Sequence, residues 1–387
     1  MLNYSRQSID NKEIKAVIKT LKSDFLTQGP KVDEFEKRLK KYCSSKFATC
    51  VNSATSALHI ACVSLGLKKN DILWTVPNTF VASANCGLYC GAQIDLVDIN
   101  QKDFNIDINL LERKLEVSKK KNRLPKILVV VHLGGEPCNL KKIYELKKKY
   151  KFSVIEDASH ALGSKYYGYK IGSCKYSDLA VFSFHPVKNI TTGEGGAILT
   201  NNKLIDYKCK ILRTHGIEKN LKKLKTKIKA VFYYEQQLLG YNYRMNDIEA
   251  SIGIEQIKKL DFFTKRKILK ANYYINNFDI NIFSLRKLNK DCLNSYHLFI
   301  LSIKKNINQK TYTKIFNEIR ARGIGINLHY FPIHKQPFFK KMFRNNKFKI
   351  SENYSKQSFS IPLYHDISKK QQDYIIKNIT QNIKKNI

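Results

Sequence analysis

The run VFSFHPVKNITTGEGGAIL (Val181–Leu199) places a lysine, Lys188, between an apolar strand pattern and a Gly-rich segment. Lysine is rarely buried, because removing an ammonium from water is costly. Burial disfavours its charged form, and the neutral amine is a nucleophile toward carbonyl carbon. Asp157 ends an earlier apolar run, FSVIED. If these two strands are neighbours in one sheet, the carboxylate and the amine face the same crevice. The turn VNSATSALH follows a third run, and its Ser53, Ala54 and Thr55 open a helix whose first amides are free to hold a phosphate. Ser183, on the strand leading to Lys188, adds a hydroxyl, and Phe80 in PNTFVASANC offers a face to a flat ring.

Each residue has a plainer reading when taken alone. Asp157 suits a helix N-cap, Ser53 to Thr55 an ordinary Ser/Thr cap, and Phe80 a core position. Together, all at strand carboxyl ends, they match pyridoxal 5′-phosphate. Such a site needs a lysine for the Schiff base, a carboxylate for the ring nitrogen, a phosphate turn and an aromatic cover.

The elements that must position these groups are legible. Expected strands lie at 46–52, 71–76, 93–99, 126–133, 152–158, 178–184 and 195–201, with helical patterns between several of them. Continuous Val/Ile/Leu strands alternating with helices predict a mainly parallel α/β sheet of seven strands, covered on both faces, with its ligand beyond the carboxyl ends. After about Asp247 the pattern turns to amphipathic helices with a few strands such as SYHLFILSI (295–303). The division is a large domain, 1–255, and a smaller α+β domain, 256–387, joined by a long helix beginning near Asn246.

Length and composition support this reading. A chain of 387 residues with 43% hydrophobic residues fills two domain cores and is not disordered. The formal charge of +37 raises a nucleic-acid reading, but the lysines are spread along the whole chain and no nucleic-acid-binding signature is present. No nucleic-acid partner is expected. The basic run EKNLKKLKTKIK (218–229) reads as a solvated, mobile segment. Nine cysteines without a CxxC pair suit reduced core thiols, and no metal is expected. With no apolar run of membrane-spanning length and no secretory h-region, a cytoplasmic protein without membrane contact is predicted.

The segments LTQGPKVDEFE (26–36), NSATSALH (52–59), PNTFVASAN (77–85), EDASHALGS (156–164), FSFHPVKNITTGEGGAI (182–198), LRTHGI (212–217), LGYNYRMNDIEASIG (239–253) and LHYFPIHKQPFF (328–339) resemble the DegT-type sugar aminotransferases. The likeness covers nearly the whole chain and implies the fold-type-I aminotransferase architecture. The opening NYSRQSID and FLTQGP are most similar to members that aminate C4 of a UDP-linked 2-acetamido-2,6-dideoxy-4-keto-hexose for pseudaminic acid synthesis. By this resemblance Lys188 carries the cofactor and moves the proton at its C4′ carbon. L-Glutamate is the donor, and pyridoxamine 5′-phosphate is the form holding the amino group.

The resemblance also implies site roles. Asp157 keeps the ring nitrogen protonated, Phe80 stacks on the ring, and His160 lies near its phenolic oxygen. Ala54, Thr55, Ser183 and an Asn of a partner subunit, matched by Asn242, hold the phosphate, so the site is shared across a homodimer. The nucleotide sugar is expected at Tyr4, at Asp24, Phe25, Leu26 and Thr27, and at Ile333, His334, Lys335 and Gln336, with His329 and Tyr330 also facing the crevice.

Three other readings stay open. Related aminotransferases act at C3 or C4 of other UDP-, dTDP- or GDP-keto sugars. One relative performs dehydration with His in place of the lysine, which disfavours that reaction here. A non-catalytic binding or regulatory protein on the same fold predicts a degenerate cofactor site.

Overall fold

The computed structural model describes residues 1–387 apart from Lys227, Lys229 and Lys287. A short strand β1 (Leu2–Asn3) precedes α1 (Asn11–Leu21) and α2 (Pro30–Cys43). Strands and helices then alternate as β2 (Phe47–Val51), α3 (Ala54–Ser64), β3 (Ile72–Thr75), α4 (Ala82–Tyr89), β4 (Gln93–Leu96), α5 (Ile108–Lys120), β5 (Ile127–Val131), α6 (Leu140–Tyr150) and β6 (Ser153–Asp157). A hairpin of β7 (Lys165–Tyr166) and β8 (Tyr169–Lys170) comes before β9 (Leu179–Ser183), β10 (Gly196–Thr200) and α7 (Lys203–Leu212).

The central sheet has the order β2-β10-β9-β6-β5-β3-β4, so all seven expected strands belong to it. Strand β10 is antiparallel to both neighbours, and the remaining pairs are parallel. Alternate residues feed two cores. Leu128, Val130, Val154 and Phe182 join apolar residues of α2, α5 and α6, while Ile127, Val129, Ile155 and Val181 join those of α3 and α7. With both faces apolar, the strands lack the polar alternation of a sheet that faces water, which is why they read as continuous hydrophobic runs.

Strands β11 (Ile217–Glu218) and β12 (Glu235–Gln236) pair antiparallel around the basic run. Lys225 and Thr226 of that run are exposed, as a solvated segment would be, while their amides donate to the Glu235 carboxylate at 2.8 and 2.7 Å. Its Lys227 and Lys229 lie outside the described residues. Next comes α8 (Asp247–Asn277), begun by a capping box in which Asn246 accepts from the Glu249 amide at 2.8 Å and Glu249 accepts from the Asn246 amide at 3.2 Å. Ile254, Ile257 and Leu260 pack in the large core, whereas Ala271 and Tyr274 pack in a second one. The division expected after residue 255 thus falls within one continuous helix.

The second core is built by β13 (Phe283–Leu285), β15 (Phe299–Ile303), α9 (Gln309–Ala321), β17 (Ser358–Ile361) and α12 (Lys369–Asn386), with β13-β15-β17 as an antiparallel sheet. β16 (Ile324–Gly325) joins this core, whereas β14 (Cys292–Leu293) pairs with β7, α10 (Pro337–Lys340) sets Phe339 in a satellite cluster and α11 (Lys349–Gln357) packs Tyr354 on the large core. The N-terminus belongs here spatially: β1 pairs in parallel with β16, and the Leu363 amide donates to the Tyr4 carbonyl at 3.0 Å. Ser5 Oγ then donates to the Val187 carbonyl at 2.8 Å, which ties this N-terminal strap to the Lys188 loop.

Among the described residues no helix is long and apolar enough to cross a membrane, and no cluster of metal-binding side chains occurs. All nine cysteines are free, and only Cys90 and Cys292 are partly exposed, as expected for core thiols.

Candidate active site

Asp157, the last residue of β6, stands opposite Val181 of β9 in parallel register. Lys188 emerges beyond the carboxyl end of β9, and both residues line a cavity of about 490 Å³. Ala54, Thr55, Phe80 and Ser183 line the same cavity. The strand-end rule for α/β sheets therefore locates the site, and four chain segments converge there.

The Asp157 carboxylate is held from both sides. Ser83 Oγ donates to Oδ2 at 2.6 Å, and Ser159 donates to Oδ1 through its hydroxyl at 2.6 Å and its amide at 3.2 Å. These three donors fix the plane of the carboxylate. The Lys188 amine, by contrast, has no hydrogen-bond or carboxylate partner among the described residues. Burial pulls its pKa down from the ordinary lysine value to about 8, and the Asp157 charge partly opposes the shift. The shift gives Lys188 a larger share of nucleophilic neutral amine near physiological pH than an exposed lysine has, and the residue lines the cavity.

The turn into α3 forms a compact cradle of backbone amides. Ser53 is the N-cap, its Oγ accepting from the Ser56 amide at 3.1 Å, which leaves the Ala54 and Thr55 amides without intrahelical partners. Gly196 of β10 packs directly beneath: a Cβ there would lie 2.6 Å from the Ala54 nitrogen. Only a residue without a side chain lets the cradle sit this low.

The far wall is a histidine and tyrosine cluster. The Gly134 amide donates to His160 Nδ1 at 3.2 Å, so that nitrogen carries no proton. Burial, reinforced by the Lys188 charge, holds His160 well below the ordinary histidine pKa. The neutral ring therefore has its proton on Nε2, which donates to Tyr330 Oη at 3.0 Å. The Tyr330 hydroxyl proton is left free, and Tyr330 lines the cavity. His329, bonded through Nδ1 to Ser360 Oγ at 2.9 Å, is pushed down to about 3 by burial and then by Lys188, so it is neutral at physiological pH. Tyr4 meets its ring edge-on at 4.8 Å.

The model for the DegT/DnrJ/EryC1/StrS aminotransferase family matches residues 7–380. The chain belongs to this family. It is 40% identical to a Campylobacter jejuni protein named UDP-4-amino-4,6-dideoxy-N-acetyl-beta-L-altrosamine transaminase, over 100% of this chain and 99% of the relative. Among solved structures, Helicobacter pylori PseC, an aminotransferase involved in the biosynthesis of pseudoaminic acid, is 31% identical and superposes with a TM-score of 0.88 over 99% of each chain. The PMP-form of the Streptococcus pneumoniae sugar aminotransferase Spr1654 gives a TM-score of 0.89 at 26% identity, over 100% of each chain. DegT-family aminotransferases depend on pyridoxal 5′-phosphate, and the residues described above fit that group: an amine without a partner, an oriented carboxylate and a cradle that a Cβ would fill.

Not every expected contact converges on this cavity. Ile333 and His334 are buried in a satellite core with Phe343 and Phe348, and His334 Nε2 is bonded to Glu352 at 3.1 Å. Neither side chain reaches the cavity wall, and Lys335 and Gln336 beside them are also outside it. Asp24, Phe25, Leu26 and Thr27 form an exposed loop bridged to Asn246, away from the cavity of their own chain. Asn242 is exposed and bridged to Thr214, likewise outside it. Ser83, Ser159 and Gly196 were not anticipated as site residues. Both serines lie within recognisable segments; Ser159 bonds Asp157 locally, two residues on, whereas the Ser83 bond arises only when α4 and the end of β6 meet.

Proposed function

We propose that this protein is a pyridoxal 5′-phosphate-dependent aminotransferase carrying the amino group of L-glutamate to C4 of a UDP-linked 2-acetamido-2,6-dideoxy-4-keto-hexose. The product is UDP-4-amino-4,6-dideoxy-N-acetyl-altrosamine, used for pseudaminic acid. What carries the choice of sugar is the full-length 40% identity to the Campylobacter transaminase of that name. The chemistry is supported by the pairing of an unpartnered Lys188 with an oriented Asp157 in one cavity.

When bound, the cofactor supplies the carbonyl and the electron sink on which amino transfer depends. The chain supplies the rest. Lys188 Nζ would hold the cofactor, and its amine, when free, would carry a proton to and from the reacting carbon. Asp157 would serve the ring nitrogen and favour its protonated state. The Ala54 and Thr55 amides with the Ser183 hydroxyl would hold the phosphate, completed by Asn242 of the partner subunit. Phe80 would cover the ring. Tyr4, His329 and Tyr330 line the sugar side, where neutral histidines avoid placing further positive charge beside Lys188.

The test is to add glutamate to the protein loaded with pyridoxal 5′-phosphate, then present UDP-, dTDP- and GDP-linked 4-keto sugars and identify aminated products by mass. Conversion of the UDP-linked 2-acetamido sugar is expected. Amination of only the dTDP or GDP sugars would move the assignment to another sugar, and a protein binding no cofactor would end the enzymatic reading.

A further inference from the structure

A second buried lysine lies behind the first. Lys267, on α8, is 7% exposed, and its Nζ donates to Asn189 Oδ1 at 2.6 Å. It has no carboxylate partner among the described residues, although buried cations are normally paired. Burial alone pulls its pKa down to about 7. Both the ammonium and the neutral amine retain N–H donors, so the bond to Asn189 survives either state.

Asn189 is the residue next to Lys188, and its side chain ties three segments together. Its Nδ2 donates to the Leu162 carbonyl at 2.5 Å and to Ser295 Oγ at 2.9 Å. Leu162 belongs to the turn that follows Asp157 and contains His160, while Ser295 Oγ also reaches the His160 carbonyl at 3.3 Å. A side-chain amide is nearly symmetric in shape, so it can be held either way round unless its neighbours distinguish N from O. Lys267 makes that distinction. Reversing the amide would set an NH₂ against the lysine donors and an oxygen against the Leu162 carbonyl. A lysine on the helix shared by the two cores thereby fixes the orientation of the residue adjoining Lys188.

We propose that Lys267 is a positioning residue that acts through Asn189 to hold Lys188 in register with Asp157 and His160. This rests on the assignment of Lys188 as the cofactor lysine. Lys267 is not among the residues lining the active-site cavity.

The test compares Lys267→Met, Asn189→Ala and the double variant with the parent protein. For each, the rate at which borohydride traps pyridoxal phosphate on Lys188 is measured by peptide mass, together with kcat, KM and Tm. Lys267→Met, which loses one buried hydrogen bond, is expected to slow trapping and lower kcat about tenfold, and Asn189→Ala, which loses that bond and those to Leu162 and Ser295, at least as much, with KM for the nucleotide sugar within about twofold. The double variant should be no worse than the poorer single one, because both changes break the same contact. Unchanged trapping in the single variants, or losses that multiply in the double, would overturn the proposal. If Lys267→Met does not fold, Lys267→Gln, which keeps a donor, should trap cofactor faster than Asn189→Ala, and trapping no faster than Asn189→Ala would overturn the proposal. A parent protein that traps no cofactor on Lys188 would instead refute the underlying assignment.

Discussion

Gly196 and Ala54 meet backbone to backbone: a Cβ on Gly196 would lie 2.6 Å from the Ala54 nitrogen. The antiparallel strand β10 thus supports the helix turn that offers free amides. Gly196→Ala should push this turn outward at a cost of about 1–3 kcal/mol of packing. Affinity for pyridoxal 5′-phosphate is expected to fall at least tenfold, measured by equilibrium dialysis, while inorganic phosphate binding weakens in parallel. Retained affinity for both would show that the amides of α3 do not hold the phosphate.

Lys188 should be acylated in the cofactor-free protein with a midpoint near pH 8, well below that of exposed lysines, because burial lowers its pKa to about 8. The sign for stability follows. Between about pH 8 and the ordinary lysine value the unfolded chain binds more protons at this site than the folded one, so stability rises with pH across that window. Below pH 8 the penalty is constant. Lys188→Met should therefore stabilise the cofactor-free protein at neutral pH and flatten that rise, as denaturant melts at several pH values would reveal. A labelling midpoint equal to that of surface lysines would contradict the environment described.

Asn242 lies outside its own chain's cavity, and a shared site makes a quantitative prediction. Lys188→Ala and Asn242→Ala homodimers should each be severely impaired. Mixing the two chains under exchange conditions yields hybrids in which one of the two sites has both residues intact. With half of the dimers hybrid, about a quarter of parental activity should return. Mixtures no better than the sum of the separate variants would place both residues in the same protomer's site or Asn242 outside it.

Tyr330→Phe removes one hydroxyl and leaves the His160 Nε2 proton without its acceptor at 3.0 Å. A buried donor without a partner costs about 1–3 kcal/mol. Lower Tm and a roughly tenfold fall in kcat are expected. If kcat is unaffected while Tm drops, the hydroxyl serves the wall of the site and not the reaction.

Much of this site could be read before folding because its parts are local. Ser53 to Thr55 is a cap, Asp157 and Lys188 follow recognisable strands, and buried strands in a sheet covered on both faces leave continuous apolar runs. Hydrophobic periodicity and turn chemistry extend over a few residues, so they survive in the linear pattern. The His334 reading went differently for the same reason. A polar residue in LHYFPIHKQ gives no local sign that Phe343 and Phe348 will close over it and that Glu352 will bond it.

The amino-acid sequence by itself determined the seven strands, the placing of Lys188 and Asp157 at neighbouring strand ends, and the family to which the chain belongs. Tertiary structure alone decided the direction of β10, the Ser83 bond that orients Asp157, the His160–Tyr330 bond, the N-terminal strap on the small domain and Lys267 behind the site. These contacts join residues far apart in the chain. Their energies depend on which surfaces are buried together, and no periodic pattern records that choice.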